Sequence, residues 1–143
     1  MKNFIVKKMP LAFMLFALIL ISKPALASDT PPSGPVDGEL AIRLIEGFGD
    51  RLLIIDVRNP EEFAKGHIPQ AINIPLSEFS ARLDEIPADR PVLLLCLAGK
   101  RSTMAHDTLM ALNRPIPKES GVWRVADIPE YHPDGSYSFR KAE

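Results

Sequence analysis

The chain of 143 residues holds one cysteine, one tryptophan and three histidines, and each scarcity closes off a class of function. A single cysteine cannot close an internal disulfide, nor can it supply the paired thiolates of a structural zinc site. His67, His106 and His132 are scattered without ligand spacing, so no metal is expected. An excess of positive charge is also missing. The 17 Lys and Arg face 18 Asp and Glu, a formal net charge of −1, and that balance argues against a nucleic-acid partner. No apolar run reaches the ~20 residues that span a bilayer. The candidate from Pro10 to Ser22 is interrupted by Lys23 and Pro24.

That same stretch fits another role. Lys2, Lys7 and Lys8 precede the apolar segment, and Ala25 to Ala27 reads "ALA", the order of a secretory signal peptide with cleavage after Ala27. Residues 1–27 are therefore expected to be removed on export, which places the mature chain in the periplasm or outside the cell, free of the membrane. No cysteine follows the cleavage site, so lipid anchoring is not suggested. Removal takes away four lysines and no acid and leaves 116 residues with 13 basic and 18 acidic side chains, a net of −5. That length suits one domain and not two.

"SDTPPSGP" carries no apolar periodicity, and residues 28–36 read as a linker before a domain at 37–143. Leu40, Leu44 and Phe48, with Ala41 and Ile45 alongside, predict an amphipathic helix ended by Gly49. "RLLIIDV" is a short apolar run suited to a strand buried on both faces. "NPEEFAKG" follows, with Asn59 as N-cap, Pro60 at the first helical position, Glu62 closing a capping box and Gly66 as the stop. "AINIP" reads as a second strand, and Ser77 as the cap of a helical stretch running to Ile86. "PVLLLC" is a third strand that delivers Cys96 at its carboxyl end. Beyond it, Ala105, Leu109 and Leu112 share a helix face, with His106 turned to solvent. "GVWRVAD" is a candidate strand with Trp123 in the core, and "YHPDGSYSF" a hairpin turning at Pro133, Asp134 and Gly135. Strands alternating with helices predict an α/β domain with a mainly parallel central sheet flanked by helices, whose ligands bind beyond the carboxyl ends of the strands.

Cys96 stands at such an end. "CLAGKR" spans Cys96, Leu97, Ala98, Gly99, Lys100 and Arg101, and a helix is predicted to start near Ser102. Backbone N–H groups of such a turn and the positive end of the helix favour an anion, so this position favours a nucleophilic thiolate, helped by two neighbouring cations. The competing reading is an inert core cysteine, common for unpaired thiols. Asp56 is read as a structural acceptor of backbone N–H groups. Arg58 is a candidate substrate contact, with pairing to an acidic neighbour as the alternative.

"LLLCLAGKRS", with "IIDVRNPEEFAKGHIPQAINIP" upstream, resembles the rhodanese-like sulfurtransferase family in its single-domain exported form, from about Glu39 to Leu112. Asp56, Arg58, Glu62, Phe63, Gly66, His67, Ile68, Ala71, Asn73 and Pro75 match the family pattern. The resemblance implies a rhodanese-like fold and ping-pong transfer of a sulfane sulfur through a Cys96 persulfide, from thiosulfate or a similar small donor to a thiophilic acceptor. It implies Leu97, Ala98, Gly99, Lys100, Arg101 and Ser102 as the substrate-binding loop, with Lys100 and Arg101 pairing to the donor's sulfonate end. His67 takes a packing role. No cofactor or metal is implied, and a monomer is expected. Related phosphatases and arsenate reductases place their arginine six positions after the cysteine; here Arg101 is five after Cys96, which favours sulfur chemistry. A persulfide carrier for a protein partner and a non-catalytic binding module of the same fold are the alternatives. The family pattern has a paired glycine and then a tryptophan after its last strand, and "VWRVADIPEY" has no such pair; the family's first strand is not evident in "SGPVDG".

Overall fold

A computed structural model describes residues 30–112 and 121–142. The expected signal peptide at 1–27 lies outside them. Five parallel strands form the sheet: β1 (Gly34–Val36), β2 (Leu53–Asp56), β3 (Ile72–Asn73), β4 (Val92–Leu95) and β5 (Val122–Val125), in the order β1-β5-β4-β2-β3. The helices α1 (Gly38–Phe48), α2 (Pro60–Ala64), α3 (Leu76–Phe79) and α4 (Lys100–Ala111) connect them. An antiparallel hairpin, β6 (Ile128–Tyr131) and β7 (Tyr137–Arg140), closes the chain apart from the sheet.

The side-chain alternation of a strand divides the core into two layers. Ile54, Leu93, Leu95 and Trp123 pack with Leu44 and Phe48 of α1, and Tyr131, Tyr137 and Phe139 of the hairpin lie against this layer. Leu53, Ile55, Val92, Leu94 and Cys96 face the other way, against Phe79 of α3 and Ala105 and Leu109 of α4. Both faces of the central strands are thus covered, which is why Leu53 to Ile55 and "VLLL" are apolar without alternation.

Several boundaries depart from the sequence reading. The segment read as a linker contains β1, an edge strand in which Pro35 is tolerated because one of its sides faces away from any ladder. Its anchors are distant: Val122 N–H donates to Ser33 Oγ at 3.0 Å, and the Trp123 indole N–H is shared between the carbonyls of Pro31 and Pro32 at 3.1 and 3.2 Å. The helix expected to be capped by Ser77 is capped two residues earlier, at Pro75, without a side-chain bond, and breaks into α3 and a separate 3₁₀ turn at Leu83–Glu85. Leu112, placed on the buried face of the last helix, is 46% exposed at that helix's end. His106 is not solvent-facing, since its side chain is only 13% exposed and its Nε2 is buried with no partner among the described residues. The hairpin turn falls where Pro133, Asp134 and Gly135 predict it, with Gly135 N–H donating to the His132 carbonyl at 3.0 Å.

Candidate active site

β2 and β4 lie side by side and end in register, Asp56 opposite Leu95, so the two chains leaving the sheet meet at one place. After β2 the sequence makes a charged turn. Asp56 is fully buried and accepts hydrogen bonds from the Arg58 backbone N–H at 3.0 Å, from Nε at 2.9 Å and from one terminal nitrogen at 2.6 Å. That same terminal nitrogen donates to the Gly66 carbonyl at 2.7 Å. The Asn73 amide donates to the carbonyls of both Asp56 and Arg58 at 2.9 Å and ties β3 to the turn. Burial acts to lower the Arg58 pKa, and the hydrogen bonds and charge of Asp56 outweigh it, so the guanidinium stays charged. A buried ion pair is tolerable when its remaining hydrogen bonds are filled in this way. His67 keeps a packing role: its ring stacks on Phe63 at 3.8 Å and is bonded through Nδ1 to the Phe63 carbonyl at 2.9 Å.

After β4, Cys96 is 2% exposed, with Sγ 3.5 Å from the hydroxyl of the fully buried Ser102. Gly99 caps α4 in the left-handed region at φ 76°, a conformation that strains other residues. The helix begins at Lys100, two residues earlier than expected, because Gly99 rather than a side chain makes the cap. The Thr103 N–H is the first to close a helical bond, onto the Gly99 carbonyl at 2.9 Å, and the hydroxyls of Ser102 and Thr103 donate to that carbonyl at 3.0 and 2.7 Å. The N–H groups of Lys100, Arg101 and Ser102 therefore have no helical carbonyl to bind and concentrate positive potential in the turn that follows Cys96.

Arg101, expected to pair with the donor, is ion-paired within the chain. Its two terminal nitrogens donate to the Glu62 carboxylate at 2.6 and 2.9 Å, joining the start of α4 to α2. That pairing holds Glu62 down at about 2, against the opposing effect of burial, and raises Arg101 further above its ordinary value. Glu62 also accepts from the Asn59 N–H at 3.1 Å, so the predicted capping box forms and serves a second purpose. Of the expected substrate-binding set, Ala98, Gly99, Lys100 and Ser102 stand on the loop and first helical turn, while Arg58 and Leu97 also border a cleft.

That cleft, of about 280 Å³, is lined by Arg58, Glu62, Lys65, Gly66, Leu97 and Tyr131. Leu97 is 48% exposed at its rim. Tyr131 and Lys65 escaped the sequence reading. Tyr131 comes from β6, its ring 4.8 Å from the Arg58 guanidinium, and Gly66 is required beneath it, since a Cβ there would come within 2.7 Å of the Tyr131 Cβ. The Tyr131 hydroxyl is buried with no partner among the described residues, and burial pushes it up to about 12.

A parallel α/β sheet that presents a cysteine in a tight strand-to-helix turn, beside a buried Asp–Arg pair, defines a class of cysteine-loop α/β proteins. Residues 40–128 match the family model of the rhodanese-like domain, and the chain belongs to that family of sulfurtransferases. It is similar to a sulfurtransferase of Allochromatium vinosum, with 35% identity over 88 residues that cover 59% of this chain and 82% of that one. It is also similar to YqhL of Bacillus subtilis, with 52% identity over 56 residues, 39% of this chain and 44% of that one. The chain therefore spans most of the first relative but less than half of the second. The human single-domain sulfurtransferase TSTD1 superposes with a TM-score of 0.53 and 25% identity, over 68% of this chain and 90% of that one.

Proposed function

We propose that the chain moves a sulfane sulfur from thiosulfate, or a similar small anionic donor, to a thiophilic acceptor through a persulfide on Cys96. The observation that carries this reading is the placing of the Cys96 sulfur, against Ser102 in the first turn of a helix whose leading N–H groups have no helical carbonyl to bind. In the thiol form, Sγ–H donates to the Ser102 hydroxyl, which itself donates to the Gly99 carbonyl. Once the thiolate forms, rotation of that hydroxyl turns its proton to the sulfur. The thiolate attacks the outer sulfur of thiosulfate, the S–S bond of the donor breaks, and sulfite leaves with the bonding pair. The new persulfide anion occupies the N–H-rich turn until cyanide or a small thiol takes its outer sulfur and the Cys96 thiolate returns. The steps need no cofactor or metal, and the protein acts as a monomer.

Mixing the purified mature chain with thiosulfate and measuring intact mass tests the proposal. A gain of one sulfur atom, absent in Cys96→Ser, is expected; sulfur gain in the serine variant would refute it. Export is proposed from residues 1–27, and sequencing of protein released from the periplasm should begin at Ser28.

A further inference from the structure

Charge pairing at the carboxyl ends of β2 and β4 leaves an unexpected residue to meet an anion. Two arginines reach this region, and both are held by carboxylates: Arg58 by the buried Asp56, Arg101 by Glu62 with two contacts. The carboxylate of Glu62 is matched in turn by Arg101, so it does not present an uncompensated negative charge to the cleft. Of the residues lining the cleft, one cation is without an ion-pair or hydrogen-bond partner among the described residues, Lys65, at the end of α2. The cleft is lined by Lys65 and Gly66, by Arg58 with the ring of Tyr131 beside it, and by Leu97, the residue after Cys96.

We infer that this cleft is the access path to Cys96 and that Lys65 is its anion-selecting residue, drawing small anionic donors toward the sulfur. The inference rests on the sulfur-transfer reading but adds a residue and a direction of approach that it does not contain. It assigns donor selection to a flexible point charge on α2 and leaves Arg101 the task of holding the start of α4. An ammonium on a four-carbon stem suits this task, because it reaches an anion by electrostatic attraction without requiring a fixed fork. Tyr131 lines the same cleft and, staying protonated throughout the physiological range, adds no negative charge to repel the donor.

Alkylation of Cys96 separates this inference from the chemistry of sulfur transfer. In the wild type, the ratio of rates for iodoacetate, an anion, and iodoacetamide, its neutral analogue, reports the field along the path. Each reagent loses iodide to the thiolate and forms a thioether, so the chemical step is the same. Lys65→Ala should lower the ratio about threefold to fivefold, as expected for one screened unit charge at close range, and should leave the iodoacetamide rate unchanged. Lys65→Arg should restore the ratio. The KM for thiosulfate should rise by a similar factor in Lys65→Ala, with the sulfur-transfer rate at saturating donor preserved. An unchanged ratio in Lys65→Ala, or a Cys96 that neither reagent modifies, overturns the inference. If the ratio falls as expected while wild-type protein gains no sulfur from thiosulfate, the anion path stands and the sulfur-transfer reading fails.

Discussion

Replacing Glu62 with glutamine removes one charge and little else, since glutamine can still close the capping box with Asn59. What disappears is the attraction of Arg101, held at 2.6 and 2.9 Å. Both side chains are about 30% exposed, 29% for Arg101 and 30% for Glu62. The pair therefore falls between an exposed one, which contributes ~0.2–1 kcal/mol, and a buried one, whose breaking costs ~3–5 kcal/mol. A loss of about 1–2 kcal/mol at pH 7 follows, and with a urea dependence of ~2 kcal/mol per molar it lowers the unfolding midpoint by roughly 0.5–1 M. The pH dependence has a defined sign. The folded-state pKa of Glu62 is depressed to about 2 from the ordinary 4.5, so the stability it confers is complete above 4.5 and is lost as pH falls from there through 2. The difference between wild type and Glu62→Gln should thus be constant between pH 7 and 5 and shrink steadily toward pH 2. Trp123, the one tryptophan in the chain and fully buried, supplies the fluorescence signal for urea titrations at each pH. A difference that does not change between pH 5 and 2.5, or an unmoved midpoint at pH 7, would refute the assignment of Arg101 to Glu62.

Other perturbations probe the same region. Asp56→Asn should destabilise the fold by about 3 kcal/mol, because it leaves the Arg58 guanidinium buried without its counter-charge, and thermal unfolding checks this. Gly66→Ala should cost about 1–3 kcal/mol through the forced approach to Tyr131, lowering the melting temperature by several degrees. Ser102→Ala should slow persulfide formation roughly tenfold with the fold intact, as read by stopped-flow kinetics with thiosulfate, since the hydroxyl 3.5 Å from Sγ is lost.

The central strands, α2 with its cap, and the cysteine turn were legible because each is specified by near neighbours. "NPEEFAKG" contains the cap, the proline and the stop in one stretch, and the structure reproduces them. β1 was not legible, because three residues with a glycine and a proline carry no periodic signal and depend on pairing with Trp123, Arg124 and Val125 of β5. The partner of Arg101 was also hidden: Glu62 lies 39 positions away and already had a local explanation as a capping residue. Tyr131 and Lys65 sit outside the cysteine loop. An accessible signal did exist for the first, since the hairpin turn was recognised and a fold with no side chain at Gly66 has room for an aromatic ring there.

The long reach of the first strand has a kinetic consequence. Ser33 and Val122, bonded at the sheet edge, are separated by 89 positions, and nearly the whole chain must be made before they can meet. At synthesis rates of about 5–20 residues per second, roughly 5–18 s pass between the appearance of one and of the other. During that interval the nascent N-terminal segment has no strand to pair with and Trp123 has not yet been made to hold it, so edge closure belongs among the late, slow events of folding.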